Sequence, residues 1–245
     1  MPQNFGGRTL AVRESLTLRQ AAEHVQIDEN ELRHIAQRGE IEADMRGGEW
    51  RFDHAALDEW AQRHLLSSNA KSIAARHAAL GRRLGARGGG SVSEILNRNA
   101  IDLFIEAKAK AGIVRDMTDL AEKSGFVYDP EFLFKELLER ENAASTAVGS
   151  GAAFLHPRHH DPYMFEESFI AYGRSARPVF FGAPDGAATR HFFLVCSTDH
   201  ERHLHLLARL AVLAHGTDLV ERLDAAETAD DVFDAVRACE AEFST

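Results

Sequence analysis

The stretch between residues 67 and 90 most constrains how this chain folds. It reads SSNAKSIAARHAALGRRLGARGGG, with five Lys or Arg residues, no acidic residue and a run of glycines at its end. We expect a short basic helix followed by a glycine linker, because glycine lets the backbone bend freely between compact regions. The sequence therefore predicts a domain over 15–66, a linker over 67–90 and a second domain over 91–242.

Composition excludes several classes of protein. With 44% hydrophobic and 27% charged residues, the chain can bury a core. It has no apolar run of the roughly 20 residues that span a bilayer, and its first residues lack the apolar stretch of a secretory signal. We therefore expect a cytoplasmic protein with no membrane span. Cys196 and Cys239 have no paired-cysteine spacing and are interpreted as ordinary thiols.

The segment 15–66 has the punctuation of a small helical domain with a hairpin. Thr17 and Asp28 each stand three residues before Gln or Glu, which is the capping-box pattern at a helix start. The run IEADMRGGEWRF has two extended stretches around Gly47 and Gly48, and Asp53 is placed to cap a final helix. Two helices, a hairpin and a helix predict a small, mainly helical winged helix-turn-helix domain.

This segment resembles the excisionase-type, MerR-related helix-turn-helix family, most specifically in RGEI, GGEWRF and LDEW. The resemblance implies that the second helix enters the DNA major groove and that the hairpin wing contacts the backbone. It implies base-reading positions at Asn30, Arg33, His34, Gln37 and Arg38, and phosphate contacts from Arg46 and Arg51.

Charge leaves an alternative open for this domain. Residues 1–66 hold 8 Lys or Arg against 12 Asp or Glu, and the whole chain carries a net charge of -10. Acidic groups oppose the phosphate attraction that supplies most non-specific DNA affinity. A protein-interaction or dimerisation module is therefore the second interpretation. The basic stretch 67–90 is interpreted either as a solvated spacer or as a source of the missing phosphate contacts.

From about residue 91 the pattern changes to strands alternating with helices, which predicts an α/β sandwich. The expected strands are AIDLFIEA, GAAFLHP, SFIAYG and RHFFLVCST, and the expected helices are VRDMTDLAEKSG, DPEFLFKELLERE, DHERHLHLLARLAVLAHG and TADDVFDAVRACEAEF.

The segment GSGAAFLHPRHHD places three histidines behind a short apolar strand. Three interpretations are open: a metal-binding cluster, a basic binding loop, or one reactive imidazole at His156 beside two histidines without a role. Neutral imidazole, whose ordinary pKa is about 6.5, is nucleophilic at cell pH and suits phosphoryl chemistry. His159 and His160 are expected to be exposed loop residues, because no carboxylate or cysteine stands beside them at a metal spacing.

A second histidine is expected to face the same site. Thr198 and Glu201 form a capping box, so a helix begins near residue 199 and His203 lies on the inward row of Leu206, Leu207 and Leu210. His205 is expected at the surface.

Residues 91–242 resemble the IIA domain of the sugar phosphotransferase system, fructose-mannitol type with its nitrogen-regulatory members. The matching stretches are LLERENAASTAVGSGAAFLHPR, PVFFGAPDG, ERHLHLLARLAVL and LVERLDAAETADDVF. The resemblance implies a mixed sheet, phosphorylation of His156 by an HPr-type donor, and active-site roles for Arg140 and His203. It also places Ser145 and Thr146 on the loop that lines the site. Gly149 and Gly151 allow backbone N–H groups to converge on an anion, so the predicted phosphoryl-binding loop comprises Ser145, Thr146, Gly149, Gly151 and Arg158. Proline follows His156 here, whereas in the family it precedes the histidine.

We therefore expect a phosphocarrier or regulatory component of the phosphotransferase system, with an HPr-type donor, DNA bound through residues 15–90 and a regulatory protein as partners. We expect no cofactor and no metal. One alternative is a transcription or interaction factor that keeps the IIA fold without phosphotransfer, and a weaker one is a histidine-rich metal sensor.

Overall fold

A computed structural model of the chain describes residues 15–25, 27–67, 90–158 and 163–243. The chain divides into two compact units between Ala61 and Gln62, called here the N-terminal and C-terminal units. Most of the predicted basic linker, and both His159 and His160, lie outside the described residues. Within the described ranges, no helix is both long enough and apolar enough to cross a bilayer.

The N-terminal unit combines helices with a small antiparallel sheet in the order β1-β3-β2. The predicted sequence of two helices, a hairpin and a helix is present, and the short strand β1 was not predicted. The strands are β1 Ser15–Thr17, β2 Ala43–Arg46 and β3 Glu49–Asp53, and the helices are α1 Leu18–Val25, α2 Glu29–Gln37 and α3 His54–Ser67.

Local chemistry sets these boundaries. The backbone N–H of Thr17 donates to Gln20 Oε1 at 3.0 Å, and the N–H of Gln20 donates to Thr17 Oγ1 at 3.3 Å, so the first capping box forms. The hairpin turns at Gly47 and Gly48, whose φ angles of 61° and 85° suit glycine. Leu32, Phe52 and Leu57 are fully buried and form the centre of this small core.

The C-terminal unit is built on a five-stranded sheet in the order β4-β7-β8-β6-β5. Strands β4 and β7 pair in parallel, β7 and β8 antiparallel, β8 and β6 in parallel, and β6 and β5 antiparallel. The strands are β4 Leu96–Ile105, β5 Ala147–Gly149, β6 Ala152–Leu155, β7 Phe169–Val179 and β8 Thr189–Cys196; the helices are α4 Val92–Ile95, α5 Lys110–Glu122, α6 Pro130–Ala143, α7 His200–Gly216, α8 Leu219–Ala225 and α9 Ala229–Phe243.

Helices cover both faces of this sheet. Phe154 of β6 belongs to the apolar cluster that contains Leu206 and Leu207 of α7. Its neighbours Ala153 and Leu155 belong to the opposite cluster, which contains residues of α5 and α6. Successive side chains of a strand point to opposite faces, so β6 contributes to both layers. The predicted α/β sandwich with a mixed sheet is confirmed.

Candidate active site at His156

The end of strand β6 places His156 on the α7 side of the sheet. β6 ends at Leu155, and alternation puts the next residue on the face of Phe154. The His156 side chain is fully buried, and its Nδ1 lies 2.8 Å from the carbonyl oxygen of Phe154. The strand therefore both directs the ring and fixes its rotation.

Arg140 reaches His156 from the last turn of α6. The Nε–H of Arg140 donates to His156 Nε2 at 3.0 Å, and Arg140 Nη1 donates to the carbonyl of Ala144 at 2.9 Å. A guanidinium offers donors only, so Nε2 must accept with its lone pair and Nδ1 must carry the ring proton. The Nδ1–H then donates to the Phe154 carbonyl. The hydrogen bonds thus select one tautomer, in which Nε2 is the accepting nitrogen.

His203 approaches the same ring from helix α7. Asp199 caps this helix by accepting from the N–H of Arg202 at 2.8 Å, one residue beyond the predicted capping residue Thr198. His203 is fully buried, and its ring centroid lies 5.1 Å from that of His156 with an interplanar angle of 62°. The site thus contains a guanidinium and two imidazoles in one buried pocket.

The prediction that His205 lies at the surface is wrong, because only 3% of the residue is exposed. The prediction for His205 assumed that this helix buries a single row of residues. In α7, residues outside that row, such as Leu204 and Val212, are also buried. A helix that is apolar on most sides is buried on most sides.

The loop between α6 and β5 is held by a buried carboxylate. Glu141 Oε2 accepts from the N–H of Thr146 at 3.0 Å and from its hydroxyl at 2.6 Å, and Glu141 Oε1 accepts from Lys110 Nζ at 2.9 Å. Ser145 donates its hydroxyl to the carbonyl of Phe181 at 2.8 Å. Both loop hydroxyls are therefore engaged with the protein itself.

Sequence reasoning named Ser145 and Thr146 for the loop but missed Glu141 and Lys110, which hold it in place. The sequence did contain a signal for Glu141. Arg140 stands between two glutamates, Glu139 and Glu141, and Glu141 falls on the buried side of α6.

Gly149 and Gly151 do not join this site. They flank the tight turn that precedes β6, whereas His156 follows the other end of that strand. The Cβ that a side chain would add at Gly149 lies 2.9 Å from Asp185 Oδ2, and the N–H of Ser150 donates to the same oxygen at 3.2 Å. The Asp185 carboxylate therefore lies beside these glycines, where the sequence predicted a bound phosphoryl group. Arg158 is exposed, two residues beyond His156.

A second buried polar cluster lies near the opposite end of β8. Tyr172 Oη lies 2.9 Å from His191 Nδ1, and Asp224 Oδ1 lies 3.4 Å from His191 Nε2. Burial lowers the pKa of His191 to about 4, and burial also raises the pKa of Tyr172 above its usual range. Both groups stay uncharged at neutral pH, so they act as hydrogen-bonding core residues.

The base-reading and phosphate positions predicted in the N-terminal unit are exposed or half-buried, and Arg38, Arg46 and Arg51 pair with acidic side chains. Arg46 Nη2 lies 3.1 Å from Asp44 Oδ2, and Arg51 Nη2 lies 3.0 Å from Glu49 Oε2. Arg38 pairs with Glu40. On α2, Asn30 Oδ1 accepts from Arg33 at 2.7 Å, and His34 Nδ1 lies 3.2 Å from Gln37 Oε1.

Comparison with known proteins identifies the family of the C-terminal unit. Residues 94–239 match the model described as phosphoenolpyruvate-dependent sugar phosphotransferase system, EIIA 2, and residues 15–65 match a helix-turn-helix domain. The first match covers more than half of the chain, so the chain belongs to the EIIA 2 family of the phosphotransferase system. Both resemblances noted in the sequence are confirmed.

Individual relatives agree with this assignment. The fructose-specific EIIABC component of Bacillus subtilis is 29% identical over 147 residues, which cover 59% of this chain and 23% of that protein. The fructose-specific EIIA component of Haloferax volcanii is 31% identical over 147 residues, which cover 59% of this chain and 94% of that protein. The nitrogen regulatory protein IIA-Ntr of Neisseria meningitidis superposes with a TM-score of 0.54 at 27% identity, covering 59% of this chain and 98% of that structure.

Proposed function

We propose that this chain is a phosphocarrier or regulatory component of the phosphotransferase system that accepts a phosphoryl group on Nε2 of His156 from an HPr-type phosphohistidine. The observation that carries the proposal is the hydrogen bond from Arg140 Nε to His156 Nε2, at 3.0 Å. It supports Nε2 as the ring nitrogen that accepts with its lone pair and has a positive charge beside it.

Each bond that forms or breaks in the proposed transfer can be assigned to named atoms. The Nε2 lone pair attacks phosphorus in line, the phosphorus–nitrogen bond of the donor breaks, and its electron pair returns to the donor imidazole. His156 keeps its proton on Nδ1, so the phosphorylated ring carries positive charge. The Phe154 carbonyl, 2.8 Å from Nδ1, stabilises that charge by accepting the N–H.

Arg140 is suited to follow the charge as it moves. Before transfer, the Nε–H of Arg140 donates to the lone pair of His156 Nε2. During the attack this N–H donates to a phosphoryl oxygen instead, while Nη1 continues to donate to the Ala144 carbonyl. A cation about 4 Å from a unit of phosphoryl charge contributes on the order of 4 kcal/mol at an effective dielectric constant of 20. His203 adds a second ring from the α7 side.

Burial supports a second candidate function. His156 has no exposed surface, so a donor protein reaches Nε2 only after the surrounding chain opens. The Leu155-His156-Pro157 sequence also departs from the family pattern. Both features favour an interaction or transcription factor that keeps the IIA fold without turnover.

The N-terminal unit gives the proposed carrier its output. We infer that the state of His156 controls DNA or partner binding by the helix-turn-helix. Asn30, His34 and Gln37 are exposed on α2, as groove reading requires. The acids beside Arg46 and Arg51 must yield to phosphate, so binding is expected to be weak and strongly dependent on salt.

Phosphorylation by a reconstituted donor system tests the first proposal. The chain is incubated with phosphoenolpyruvate, enzyme I and HPr or its nitrogen-branch relative, and acid-labile mass gain is measured. We expect one phosphoryl group on the wild type, none on His156→Ala and a slow gain on Arg140→Lys. His215→Gln is the matched control, because His215 is an exposed histidine of the same unit.

The two candidate functions give different results. A wild type that stays unmodified with the matching donor present rejects phosphotransfer and supports the second candidate. Gel shifts of the full chain in rising salt test the DNA claim, and absence of any shift at the lowest salt rejects it.

A further inference from the structure

Two histidines and an aspartate of the N-terminal unit converge at the junction of α1 and α3. His24 lies in the last turn of α1, His54 is the first residue of α3, and Asp58 lies one turn further along α3. Residues four apart on a helix share a face, so His54 and Asp58 lie side by side. None of these residues belongs to the helix-turn-helix reading positions or to the His156 site.

The three side chains meet through one carboxylate. His24 Nε2 lies 2.5 Å from Asp58 Oδ1, and His54 Nδ1 lies 3.3 Å from Asp58 Oδ2. The two imidazole centroids are 4.5 Å apart, and one ligating atom from each residue falls within 4.8 Å of the others. This arrangement of His24, His54 and Asp58 is called the HHD cluster below.

The Asp58 carboxylate contacts both imidazoles through different oxygens, and His24 lies at hydrogen-bond distance from the first of them. The second imidazole converges on the other oxygen with its ring close to the first. Two imidazole nitrogens and a carboxylate oxygen together form a set of three ligand atoms of the kind that zinc takes.

We propose that the HHD cluster binds a divalent transition-metal ion of the zinc type. Two imidazole nitrogens and one carboxylate oxygen match an open zinc site, in which water fills the fourth position. Bonds of about 2.1 Å in a tetrahedral site separate ligand atoms by about 3.4 Å. The 3.3 Å distance between His54 Nδ1 and Asp58 Oδ2 fits this spacing, and His24 Nε2 turns from Oδ1 towards the ion when the ion replaces its hydrogen bond.

The HHD cluster is mostly buried, and its most exposed residue is His54. The side chains of His24 and Asp58 are 17% and 14% exposed, while that of His54 is 40% exposed. An ion enters past His54 and then lies between α1 and α3. The ion also joins the end of α1 to the start of α3 and stabilises the N-terminal unit.

Metal titration of the full chain tests this proposal. The protein is stripped with a chelator and titrated with Zn²⁺ by calorimetry and with Co²⁺ by visible absorption. We expect one high-affinity ion per chain, four- or five-coordinate Co²⁺ bands, and a higher midpoint of thermal unfolding with Zn²⁺. Asp58→Asn and His54→Gln each weaken binding at least about tenfold, as expected when one ligand of three is lost. His215→Gln leaves binding unchanged and controls for the loss of an exposed histidine outside the cluster.

Ring-nitrogen NMR shows which atoms bind. With ¹⁵N-labelled histidine, Zn²⁺ is expected to shift Nε2 of His24 and Nδ1 of His54, a result that does not depend on any variant folding correctly. Equal affinity in Asp58→Asn and wild type, shifts confined to other histidines, or no binding up to about 1 mM ion each overturns the proposal. None of these outcomes bears on phosphorylation of His156.

Discussion

Replacing Glu141 with glutamine removes the charge that holds the loop beside the candidate active site. The carboxylate accepts from the Thr146 N–H, from its hydroxyl and from Lys110 Nζ, at 3.0, 2.6 and 2.9 Å. In Glu141→Gln the side-chain amide keeps one acceptor oxygen but presents an N–H₂ group, which cannot accept from Lys110 or from Thr146. The new side chain has almost the same shape, so the change isolates charge and hydrogen bonding from packing.

The expected cost follows from these contacts. Hydrogen bonds to a charged group contribute about 1.5 to 3 kcal/mol each, and one of the three is lost outright while the others weaken. The Lys110 side chain is 32% exposed, so water recovers part of its solvation and the full penalty of a broken buried pair does not apply. We therefore expect the free energy of unfolding to fall by about 2 to 3 kcal/mol, which lowers the thermal midpoint by about 4 to 10 °C.

Far-ultraviolet circular dichroism in urea is the appropriate assay. The chain has 2 tryptophans, Trp50 and Trp60, and both lie in the N-terminal unit, so their fluorescence does not report on α6. Glu139→Gln is the matched control, because Glu139 lies on the same helix with its side chain 44% exposed and 3.9 Å from Lys135. A surface pair of this kind contributes less than about 1 kcal/mol. Equal midpoints for the two variants refute the idea that Glu141 holds the loop.

Three further predictions test other parts of the molecule. Burial lowers the pKa of His191 from 6.5 to about 4, so the unfolded chain binds more protons between these values. The free energy of unfolding is therefore highest above about pH 6.5 and falls by up to about 3 kcal/mol as the pH drops towards 4. In His191→Gln the urea midpoint should depend less on pH over this range, and a slope equal to that of the wild type contradicts the prediction. Gly173→Ala puts a Cβ 2.3 Å from Ile105 Cδ1, so overpacking should cost about 1 to 3 kcal/mol in urea unfolding, and an unchanged midpoint opposes this reasoning. Asp44→Asn releases Arg46, so gel shifts should show tighter DNA binding and a salt slope steeper by about 1, whereas wild-type affinity argues against a phosphate contact there.

Much of the architecture follows from local signals in the sequence. The Gly47 and Gly48 pair predicts the hairpin because their positive φ angles suit a two-residue turn. The start of α7 and the inward position of His203 follow from a polar cap and a helical repeat, although Asp199 rather than Thr198 accepts the capping bond. These signals depend on residues close together in the chain, which is why sequence alone carries them.

Other features depend on contacts between distant residues. Strands β1 and β5 have 3 residues each, too few to show a period-two pattern, and they form by pairing with β3 and β6. The link from Lys110 to Glu141 spans 31 positions and brings α5 against α6. The distance of Gly149 from the site depends on the direction in which β5 and β6 pair. None of these contacts leaves a local sequence pattern.

The central claim is that His156 carries the phosphoryl group on Nε2, with Arg140 beside it. ¹⁵N and ³¹P NMR of the chain after reaction with phosphoenolpyruvate, enzyme I and HPr tests it most directly. We predict a phosphorus-shifted Nε2 resonance of His156 and an Nδ1 that keeps its proton, because the Phe154 carbonyl accepts from Nδ1 in the unmodified site. A phosphoryl group on Nδ1, on another histidine, or on no residue at all contradicts the account.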